Sequence, residues 1–442
     1  MENTPLDNKT VRRIIEESGI TSFATSSIRE IARLVNQLEA ATGARYIRME
    51  MGVPGLPAAQ SGIDAEIDSL RKGVASLYPD IEGLPALKSE TSRFVKLFLD
   101  LDINPKGCVP TVGSMMGSMA AFLVANRNDR NKEGSLFLDP GFPVQKKQVE
   151  MLGHDYASFD IFNYRGKKLK DKLESFLCGG KVSSIVYSNP NNPTWMCLSE
   201  DELSIIGELC RKYDVIAIED LAYFGMDFRT DYSKPGVPPF QPSIGRYTDD
   251  YIILISSSKV FSYAGQRIGM MAISDHLFER SYPDLKRYYS TEKFGHSIVY
   301  GALYGLSAGV AHSVQYGLTA IFRNVNDGKY KFLDEVSEYG EKARIMKSLF
   351  TKNGFTIAYD TDIDKPIADG FYFTIAYPGM TGAELLEKLL YYGISAITLD
   401  ITGSNRKDGL RACVSHVYRE QFDELETRLE TFYRNNPVTK KD

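Results

Sequence analysis

A lysine and an arginine flank a turn rich in hydroxyl groups, between two apolar runs of the sequence. The run Tyr251 to Ile255 leads into Ser256 to Lys259, and Arg267 follows eight residues after the lysine. An isolated lysine or arginine is usually a solvated surface charge. Two positive charges beside serine hydroxyls, between apolar runs, instead suit the binding of an anion. We therefore interpret this segment as an anion-binding turn.

Two acidic residues end an apolar run that is typical of a buried strand. Glu219 and Asp220 follow Val215 to Ile218, and Tyr223 comes three residues after Asp220. A carboxylate at the end of a buried strand is costly unless it has a partner, and a protonated pyridine nitrogen would be such a partner. For the acids alone, a strand that ends in solvent is the simpler interpretation.

Two further segments could bind a ligand through amide and backbone groups. In Ser188 to Thr194, two Asn-Pro steps follow the run Ser184 to Tyr187 and would hold Asn192 at a strand end, where α/β sheets bind ligands. In Thr111 to Gly117, small residues precede the helical pattern Ser118 to Ala125, so backbone N–H groups could face an anion. A tight turn into a packed helix explains this second segment equally well.

The elements that must position these segments alternate between short β-rich runs and longer helical patterns, from about residue 60 to residue 325. Such alternation favours an α/β domain around a mostly parallel sheet. The clearest strand-like runs are Ser135 to Leu138, Ser184 to Tyr187, Val215 to Ile218, Tyr251 to Ile255 and Ile268 to Ile273. Three of the four segments described above directly follow one of these runs.

The flanking parts of the chain predict a smaller domain with both helices and strands. Apolar residues from Ile28 to Leu38 have helical spacing, and the proline-free stretch from about Phe322 to Leu349 reads largely as helix. The later strand and helix patterns are Phe371 to Ala376, Thr381 to Tyr392 and Glu420 to Tyr433. We expect a large domain over residues 60–325 and a smaller α+β domain formed by residues 1–59 and 326–442.

Composition and charge exclude several other classes of protein. The 442 residues carry a formal net charge of −5, which gives no electrostatic case for nucleic acid or an anionic membrane as a partner. The five cysteines form no CxxC pair and the five histidines no HxxxH or HExxH spacing, so we expect free thiols and no protein metal site. The sequence contains no apolar run long enough for a membrane span, and its N-terminal stretch lacks the apolar part of a signal peptide. We therefore expect a cytoplasmic enzyme.

Four segments, in order, resemble the fold type I enzymes that use pyridoxal 5′-phosphate (PLP), in the class I/II aminotransferase superfamily that includes aspartate aminotransferase. They are Asn189 to Thr194 for the family's NPxNPT loop, Asp220 to Tyr223 for its D-x-A-Y step, Ser256 to Gly269 for its S-x-S-K-x(7)-R-x-G box, and Leu410 to Ser415 for its late arginine. The resemblance covers almost the whole chain. It implies a large domain with a mostly parallel seven-stranded sheet between helices, plus a smaller α+β domain.

The resemblance implies catalytic and ring-binding roles for five residues. Lys259 would hold PLP as a Schiff base and move a proton between the substrate Cα and C4′ of the cofactor. Asp220 would keep the pyridine nitrogen protonated. Tyr223 and Asn192 would both donate hydrogen bonds to the ring 3-oxygen, and Phe142 would stack on the ring.

Phosphate, substrate and subunit contacts also follow from the resemblance. The phosphate would be bound by Ser256, Ser258, Arg267 and the backbone N–H groups of Gly113, Ser114 and Met115. Arg411 would bind the substrate α-carboxylate in a bidentate fork, with Gly52 and Asn192 as the other substrate-binding residues. Tyr78 would reach the phosphate of the neighbouring subunit, which implies a homodimer with shared active sites. A core position is the alternative for this tyrosine.

Two features depart from the family pattern, and a third concerns the substrate. Trp195 follows the NPxNPT loop where glycine is usual, so its ring should reshape the loop and could touch the pocket. Met51 to Pro54 also differs in detail from typical members. Arg287 lies roughly where aspartate-specific members keep an arginine for a distal carboxylate, but a surface charge is the favoured interpretation.

The leading hypothesis is a PLP-dependent aminotransferase that moves the amino group of an L-amino acid to a 2-oxo acid by a ping-pong mechanism. A PLP-dependent β-eliminating lyase of the C–S lyase type would use the same residues and stays open as the alternative. A PLP-sensing DNA-binding regulator is disfavoured, because about 50 N-terminal residues are too few for that module and a linker. A binding module without activity is disfavoured because Lys259, Asp220 and Arg411 are all present. The sequence does not indicate which amino acid is the donor.

Overall fold

The computed structural model describes residues 4–132 and 134–438. Residues 1–3 and 439–442, which the expected smaller domain includes, lie outside the described residues. The strands are β1 (Ile47–Arg48), β2 (Cys108–Thr111), β3 (Gly134–Asp139), β4 (Asp155–Asp160), β5 (Val182–Ser188), β6 (Ile216–Leu221), β7 (Tyr251–Ser256), β8 (Gly269–Ile273), β9 (Thr356–Ile357), β10 (Thr361–Asp362), β11 (Lys365–Pro366), β12 (Tyr372–Ala376), β13 (Ile394–Ser395), β14 (Ile397–Thr398) and β15 (Gly409–Cys413).

The helices alternate with these strands along much of the chain. The α-helices are α1 (Asn8–Glu17), α2 (Ile28–Thr42), α3 (Gln60–Arg71), α4 (Pro85–Leu99), α5 (Gly113–Ala125), α6 (Pro143–Met151), α7 (Lys168–Leu177), α8 (Glu200–Tyr213), α9 (Asp275–Glu279), α10 (Phe294–His296), α11 (Tyr304–Ser307), α12 (His312–Asn326), α13 (Phe332–Lys352), α14 (Gly382–Leu390) and α15 (Phe422–Asn435). A π-helical stretch, Ser297–Leu303, joins α10 to α11. The 3₁₀ segments are Val74–Ser76, Pro105–Gly107, Phe162–Tyr164, Ile244–Arg246, Ala264–Gln266, Pro283–Arg287, Asp400–Thr402 and Arg419–Gln421.

The chain divides into two units. The first unit consists of the part up to Gly55, the short segment Asn192–Met196 and the part from Ser337 onward. The second unit consists of Leu56–Asn191 and Cys197–Val336. The expected division into a large cofactor-binding domain and a smaller domain stays a prediction.

Among the described residues, a seven-stranded sheet forms the centre of the second unit. Its strand order is β2-β8-β7-β6-β5-β3-β4. Neighbouring strands from β7 to β4 are parallel, and only β8 runs antiparallel, to β2 on one side and β7 on the other. This mostly parallel α/β sheet confirms the fold class predicted from the sequence.

The five predicted strand-like runs correspond to β3, β5, β6, β7 and β8, with ends that differ by at most three residues. All residues of β3, β6, β7 and β8 are buried, and strands buried on both faces read as continuous apolar runs. The predictions missed β2 and β4. Strand β2 is short and contains Pro110, while the edge strand β4 begins with exposed residues and has no apolar run.

Helix α5 begins at Gly113, five residues before the helical pattern that starts at Ser118 in the sequence. The intervening residues are small or flexible, and they give no helical periodicity. Gly113 has a φ of +66°, a left-handed conformation that glycine adopts without steric cost. The corrected start places the first turn of α5 directly after β2.

The first unit contains a four-stranded antiparallel sheet among its described residues, in the order β14-β15-β12-β9. Strand β1 pairs in parallel with β13, so the N-terminal part of the chain is joined to the C-terminal part. Helix α2 begins at a capping box formed by Ser27 and Glu30, which stabilises its N-terminus. This unit therefore mixes helices and strands, as the sequence patterns predict.

The proline-free stretch from Phe322 to Leu349 is not one helix. Helix α12 ends at Asn326 and α13 begins at Phe332. Gly328, with a φ of +69°, lies between them, and left-handed glycine commonly ends a helix. The absence of proline is thus not sufficient for helical continuity.

Three features of the described residues bear on the class of protein to which the chain can belong. None of their helices has both the length and the apolar character required to cross a membrane. They contain no group of three or more His, Cys, Asp or Glu side chains that could hold a metal ion. The five cysteines are free thiols.

Candidate active site

The carboxyl ends of three neighbouring strands in the second unit carry polar side chains that the sequence singled out. Ser188, the last residue of β5, is in register with Asp220 on β6. Leu221, the last residue of β6, is in register with Ile255 on β7, and Ser256 follows. Because these strands are parallel and adjacent, their ends lie at one edge of the sheet. Ligands of open α/β sheets bind at this edge.

Asp220 is a buried carboxylate with two neutral hydrogen-bond donors. Its Oδ2 accepts a hydrogen bond from Nε2 of Gln145 at 2.9 Å, and its Oδ1 accepts one from the backbone N–H of Ala222 at 3.1 Å. Burial raises the pKa of Asp220 to about 6, although both hydrogen bonds lower it. No lysine, arginine or histidine in residues 4–132 and 134–438 forms an ion pair with this carboxylate. Sequence reasoning missed Gln145, which lies on α6 and has no motif of its own.

The environment of Asp220 fits the nitrogen of a PLP ring. A buried carboxylate is stabilised by a nearby positive charge, and the raised pKa indicates that Gln145 and Ala222 do not compensate the burial. A protonated pyridine nitrogen would supply the missing charge. The strand-end carboxylate is therefore suited to the partner that the sequence suggested.

Glu219, the neighbour of Asp220, belongs to a separate hydrogen-bond network. Its carboxylate accepts hydrogen bonds from Oγ of Ser243 at 2.5 Å, the hydroxyl of Tyr187 at 3.2 Å and the backbone N–H of Ile244 at 3.3 Å. Burial raises the pKa of Glu219 to about 7. Successive side chains of a strand point to opposite faces, which separates the two acids. Only Asp220 is thus a candidate for the site.

Five of the residues predicted to bind phosphate come together around the start of α5: Gly113, Ser114, Met115, Ser256 and Arg267. Gly269 on β8 is in register with Ser256 on β7. A Cβ built on Gly269 would lie 3.1 Å from the backbone nitrogen of Ser114, and one built on Gly113 would lie 2.5 Å from Nη2 of Arg267. The arginine and the N–H groups of the helix N-terminus therefore lie side by side. Both attract anions, and we call this group the anion site.

The serine turn after β7 is held by its own hydrogen bonds. The backbone N–H of Ser258 donates to Oγ of Ser256 at 3.2 Å, and Oγ of Ser257 donates to the carbonyl of Ile268 at 2.5 Å. Ser256 and Ser258 are buried, whereas Lys259 is half-buried. Lys259 therefore extends from a short turn that the Ser257 side chain ties to Ile268, the residue just before β8.

The other predicted cofactor residues of the second unit follow β2, β3 or β6 in the chain, except Arg267, which lies just before β8. Tyr223 is buried in the turn that follows β6, and Phe142 is half-buried immediately before α6. Met115 lies in the first turn of α5. Arg267 is exposed, and its Nη1 donates to the carbonyl of Ala264 at 3.0 Å.

Two residues discussed from the sequence lie on the surface of the second unit. Tyr78 is 94% exposed, which rules out a core position. The guanidinium of Arg287 lies 4.0 Å from the carboxylate of Asp284 and 5.3 Å from the ring centroid of Tyr288. Arg287 is therefore a surface charge, in line with the interpretation favoured from the sequence.

The first unit contains the three predicted substrate-binding residues, Arg411, Asn192 and Gly52. Arg411 lies on β15 and is 2% exposed. Its Nη1 donates to Oδ1 of Asn192 at 3.4 Å, and its Nη2 donates to the backbone carbonyl of Glu50 at 2.6 Å. Its buried Nε has no hydrogen-bond partner among the described residues. A buried guanidinium without an anionic partner there is costly, so Arg411 is suited to a carboxylate.

Trp195 lies in the loop that follows Thr194, and its side chain is fully buried. Its ring lies edge to face with that of Tyr372, with centroids 6.2 Å apart. A Cβ on Gly370 would overlap the indole, and a Cβ on Gly52 would overlap the Tyr372 hydroxyl. The departure from the family's usual glycine is therefore part of the packing around the residues of the first unit that were predicted to bind substrate.

Comparison with known proteins identifies relatives along most of the chain. The family model described as "Aminotransferase class I and II" matches residues 46–429. The chain is 25% identical over 346 residues to a probable aspartate aminotransferase of Methanocaldococcus jannaschii, which covers 73% of this chain and 85% of the relative. It is 28% identical over 239 residues to an LL-diaminopimelate aminotransferase of Natranaerobius thermophilus, which covers 53% of this chain and 59% of the relative.

Solved structures share the fold at lower sequence identity. The aspartate aminotransferase of Thermotoga maritima has a TM-score of 0.74 and 19% identity, over 96% of this chain and 99% of that chain. The alanine aminotransferase of Pyrococcus furiosus has a TM-score of 0.73 and 20% identity, over 92% of this chain and 96% of that chain. The amino acids in the names of these relatives differ, so the names do not single out one donor.

Proposed function

The chain belongs to the class I and II aminotransferases, which makes it a transaminase, and from this premise we propose that it uses PLP to move the amino group of an L-amino acid to a 2-oxo acid by a ping-pong mechanism. The observation that carries the cofactor part of the proposal is Asp220. It is a buried strand-end carboxylate with a raised pKa and no ion-pair partner among the described residues. A protonated ring nitrogen is the partner that would relieve this cost.

The second unit contains most of the residues that would hold PLP; Asn192, the other residue expected to donate to the ring 3-oxygen, belongs to the first unit. The phosphate would bind at the anion site, through Ser256, Ser258, Arg267 and the backbone N–H groups of Gly113, Ser114 and Met115. Asp220 would pair with the ring nitrogen, Tyr223 would donate a hydrogen bond to the ring 3-oxygen, and Phe142 would pack on the ring. The anion site supports this assignment because two independent attractions for a phosphate, an arginine and a helix N-terminus, lie side by side in it.

The catalytic work of the protein itself would consist of holding and moving protons. When bound, PLP would withdraw electrons from the Cα of the substrate. Lys259 would attach the cofactor and, through its Nζ, take up the proton of the substrate Cα. Asp220 would hold a proton on the ring nitrogen, because losing that proton would leave its own buried charge without a partner.

The substrate carboxylate would bind to Arg411 in the first unit. The guanidinium is buried and oriented by Asn192 and the Glu50 carbonyl, both of which are neutral acceptors. A planar guanidinium can donate two parallel hydrogen bonds to a carboxylate. Gly52 and Asn192 would be the other substrate-binding residues.

The direct test of the function is an amino-donor screen against 2-oxoglutarate. Purified protein loaded with PLP should convert 2-oxoglutarate to glutamate only when a suitable amino acid is present. Release of pyruvate and ammonia from a β-substituted amino acid, without glutamate, would instead identify a β-eliminating lyase. The screen also identifies the donor, which neither the sequence nor the names of the relatives determine.

Attachment of the cofactor gives a separate prediction. Borohydride reduction of the PLP-loaded protein should fix one cofactor per chain irreversibly on Lys259. The reason is that this lysine directly follows the turn of buried serines, Ser256 to Ser258, which is proposed to bind the phosphate. Peptide mapping by mass spectrometry measures the site of labelling, and Lys234, an exposed lysine, is the internal control. An adduct on a lysine other than Lys259 would contradict the assignment.

A homodimer in the cytoplasm stays part of the proposal. The exposure of Tyr78 supports the homodimer, because a side chain that is 94% exposed is free to reach a neighbouring subunit. Leu77, Ile67 and Leu70 are exposed in the same stretch of the chain. Tyr78 would then contact the phosphate bound by the neighbouring subunit, as the family resemblance implies.

A further inference from the structure

The backbone conformation of Trp195 is one that few tryptophans adopt. Its φ is +67°, in the left-handed region that favours glycine, and its side chain is fully buried. A bulky residue persists in this conformation only where the surrounding structure holds it. The packing of the indole must therefore offset the unfavourable backbone conformation.

Two residues that pack against the indole, Gly370 and Tyr372, lie on one segment of the first unit. Gly370 leaves the space that the indole fills, since any Cβ there would overlap it. Tyr372, two residues later at the start of β12, meets the indole edge to face at an interplanar angle of 67°. This arrangement of two aromatic rings is favourable. The Tyr372 hydroxyl lies against Gly52, so the tyrosine ring is held at both ends.

The ring of Tyr372 in turn contacts Arg411. The guanidinium carbon lies 4.5 Å from the centroid of the tyrosine ring, within the range of a cation–π interaction. Two hydrogen bonds, to Asn192 and to the Glu50 carbonyl, determine the directions of Nη1 and Nη2. The aromatic ring restrains the guanidinium from a third side.

We propose that Trp195 and Tyr372 hold the Arg411 guanidinium in the orientation that binds a substrate carboxylate. The inference rests on the proposed function, because it takes Arg411 as the carboxylate-binding residue. Two parallel hydrogen bonds require the guanidinium and the carboxylate to be coplanar, so a support that restrains the guanidinium reduces the freedom lost on binding. Tyr372 and Trp195 are positioning residues, and Trp195 acts through Tyr372.

The experiment measures the dissociation constant of 2-oxoglutarate for the PLP-loaded protein by calorimetry, together with its Tm. Trp195→Gly removes the indole, and glycine suits the left-handed backbone; Tyr372→Leu removes the ring under Arg411. We expect each to raise Kd about 10-fold, the effect of a desolvated cation–π contact. Trp195→Phe keeps an aromatic edge against Tyr372, and we expect it to raise Kd by less than about 3-fold.

A spectroscopic signal accompanies the titration. Trp195 is the only tryptophan of the chain, so its emission reports on this one position. We expect the emission to change when 2-oxoglutarate binds, because a single ring separates the indole from the guanidinium. Binding detected by calorimetry with no change in this emission would count against the proposal.

Two reference variants separate the possible failures. Phe432→Leu removes a buried aromatic ring elsewhere in the first unit, where it packs on Phe355, Tyr377 and Tyr392, and should lower Tm without changing Kd. If Trp195→Gly and Tyr372→Leu behave like this control, the positioning role is overturned. If Arg411→Lys leaves Kd unchanged, the proposed carboxylate site itself is wrong. Should Trp195→Gly fail to fold, Tyr372→Leu and Trp195→Phe decide the matter.

Discussion

Replacing Asp220 with asparagine lowers kcat/KM for the amino donor by roughly 10³-fold, as for the loss of a preorganised charge beside the reacting group. Asparagine keeps the size of the side chain and can still accept the N–H of Ala222. It lacks the negative charge that would hold a proton on the ring nitrogen. The anion site and Lys259 are unchanged, so we expect PLP to remain bound.

Steady-state rates and the absorbance spectrum of the bound cofactor measure this outcome together. Near-normal turnover of Asp220→Asn would contradict the placement of the ring nitrogen at this carboxylate. If the loss of turnover is fully explained by loss of bound cofactor, Asp220 contributes to retention of PLP instead of to chemistry. Gln145→Glu tests the same placement of the ring nitrogen from the residue that donates to Asp220. It would put a second carboxylate beside Asp220 and so change the net charge that faces the ring nitrogen.

Asp220→Asn should also stabilise the folded protein when the cofactor is absent. The folded-state pKa of Asp220 is about 6, above its unfolded value, so the folded state holds the proton more tightly. The stabilising contribution of the protonated carboxyl is complete below about pH 4 and is lost as the pH rises through about 6. This loss amounts to about 3 kcal/mol, given a folded pKa of about 6 and an unfolded one of about 4.

Denaturant unfolding of the cofactor-free protein between pH 5 and pH 8 measures this effect. Asp220→Asn should gain stability over the wild type as the pH rises, to at most about 3 kcal/mol at pH 8. Asp155→Asn, a change of an exposed carboxylate at the start of β4, should alter the free energy of unfolding by no more than about 0.5 kcal/mol. A gain that does not depend on pH would mean that burial of the charge is not its cause.

Replacing Arg411 with lysine lowers kcat/KM for amino acids by roughly 10²-fold, a loss of about 3 kcal/mol, while the spectrum of the bound cofactor is unchanged. Lysine keeps the positive charge but cannot donate two parallel hydrogen bonds in one plane. Its ammonium also cannot reproduce both bonds of the guanidinium, to Asn192 and to the Glu50 carbonyl. The loss should therefore fall on substrate binding rather than on the cofactor.

A donor without a carboxylate is the matched control for this variant. Simple primary amines do not need the guanidinium, so Arg411→Lys should change their rates much less than those of amino acids. Rates for both donors, measured on the same preparations, give the ratio that matters. Equal losses for the two donors would mean that Arg411 has a structural role and that the carboxylate binds elsewhere.

The sequence by itself determined the main strands of the central sheet and the polar residues at their ends. A strand buried on both faces is apolar over most of its length, so the polar residues near its end stand out, as at Glu219 and Asp220 on β6 and at Ser256 on β7. The same strand-end segments carry the family resemblance, because the chemistry needs particular residue types at those ends. Short or edge strands such as β2 and β4 carry no such signal, and they were missed.

Only the tertiary structure decided which side chains meet these residues. Gln145 is 75 residues from Asp220 in the chain, yet it donates the hydrogen bond that orients the carboxylate. Trp195, the departure from the family's usual glycine, is buried against Gly370 and Tyr372, far along the chain. Such contacts depend on how distant segments pack within one unit, and packing between distant segments leaves no periodicity or spacing in the local sequence.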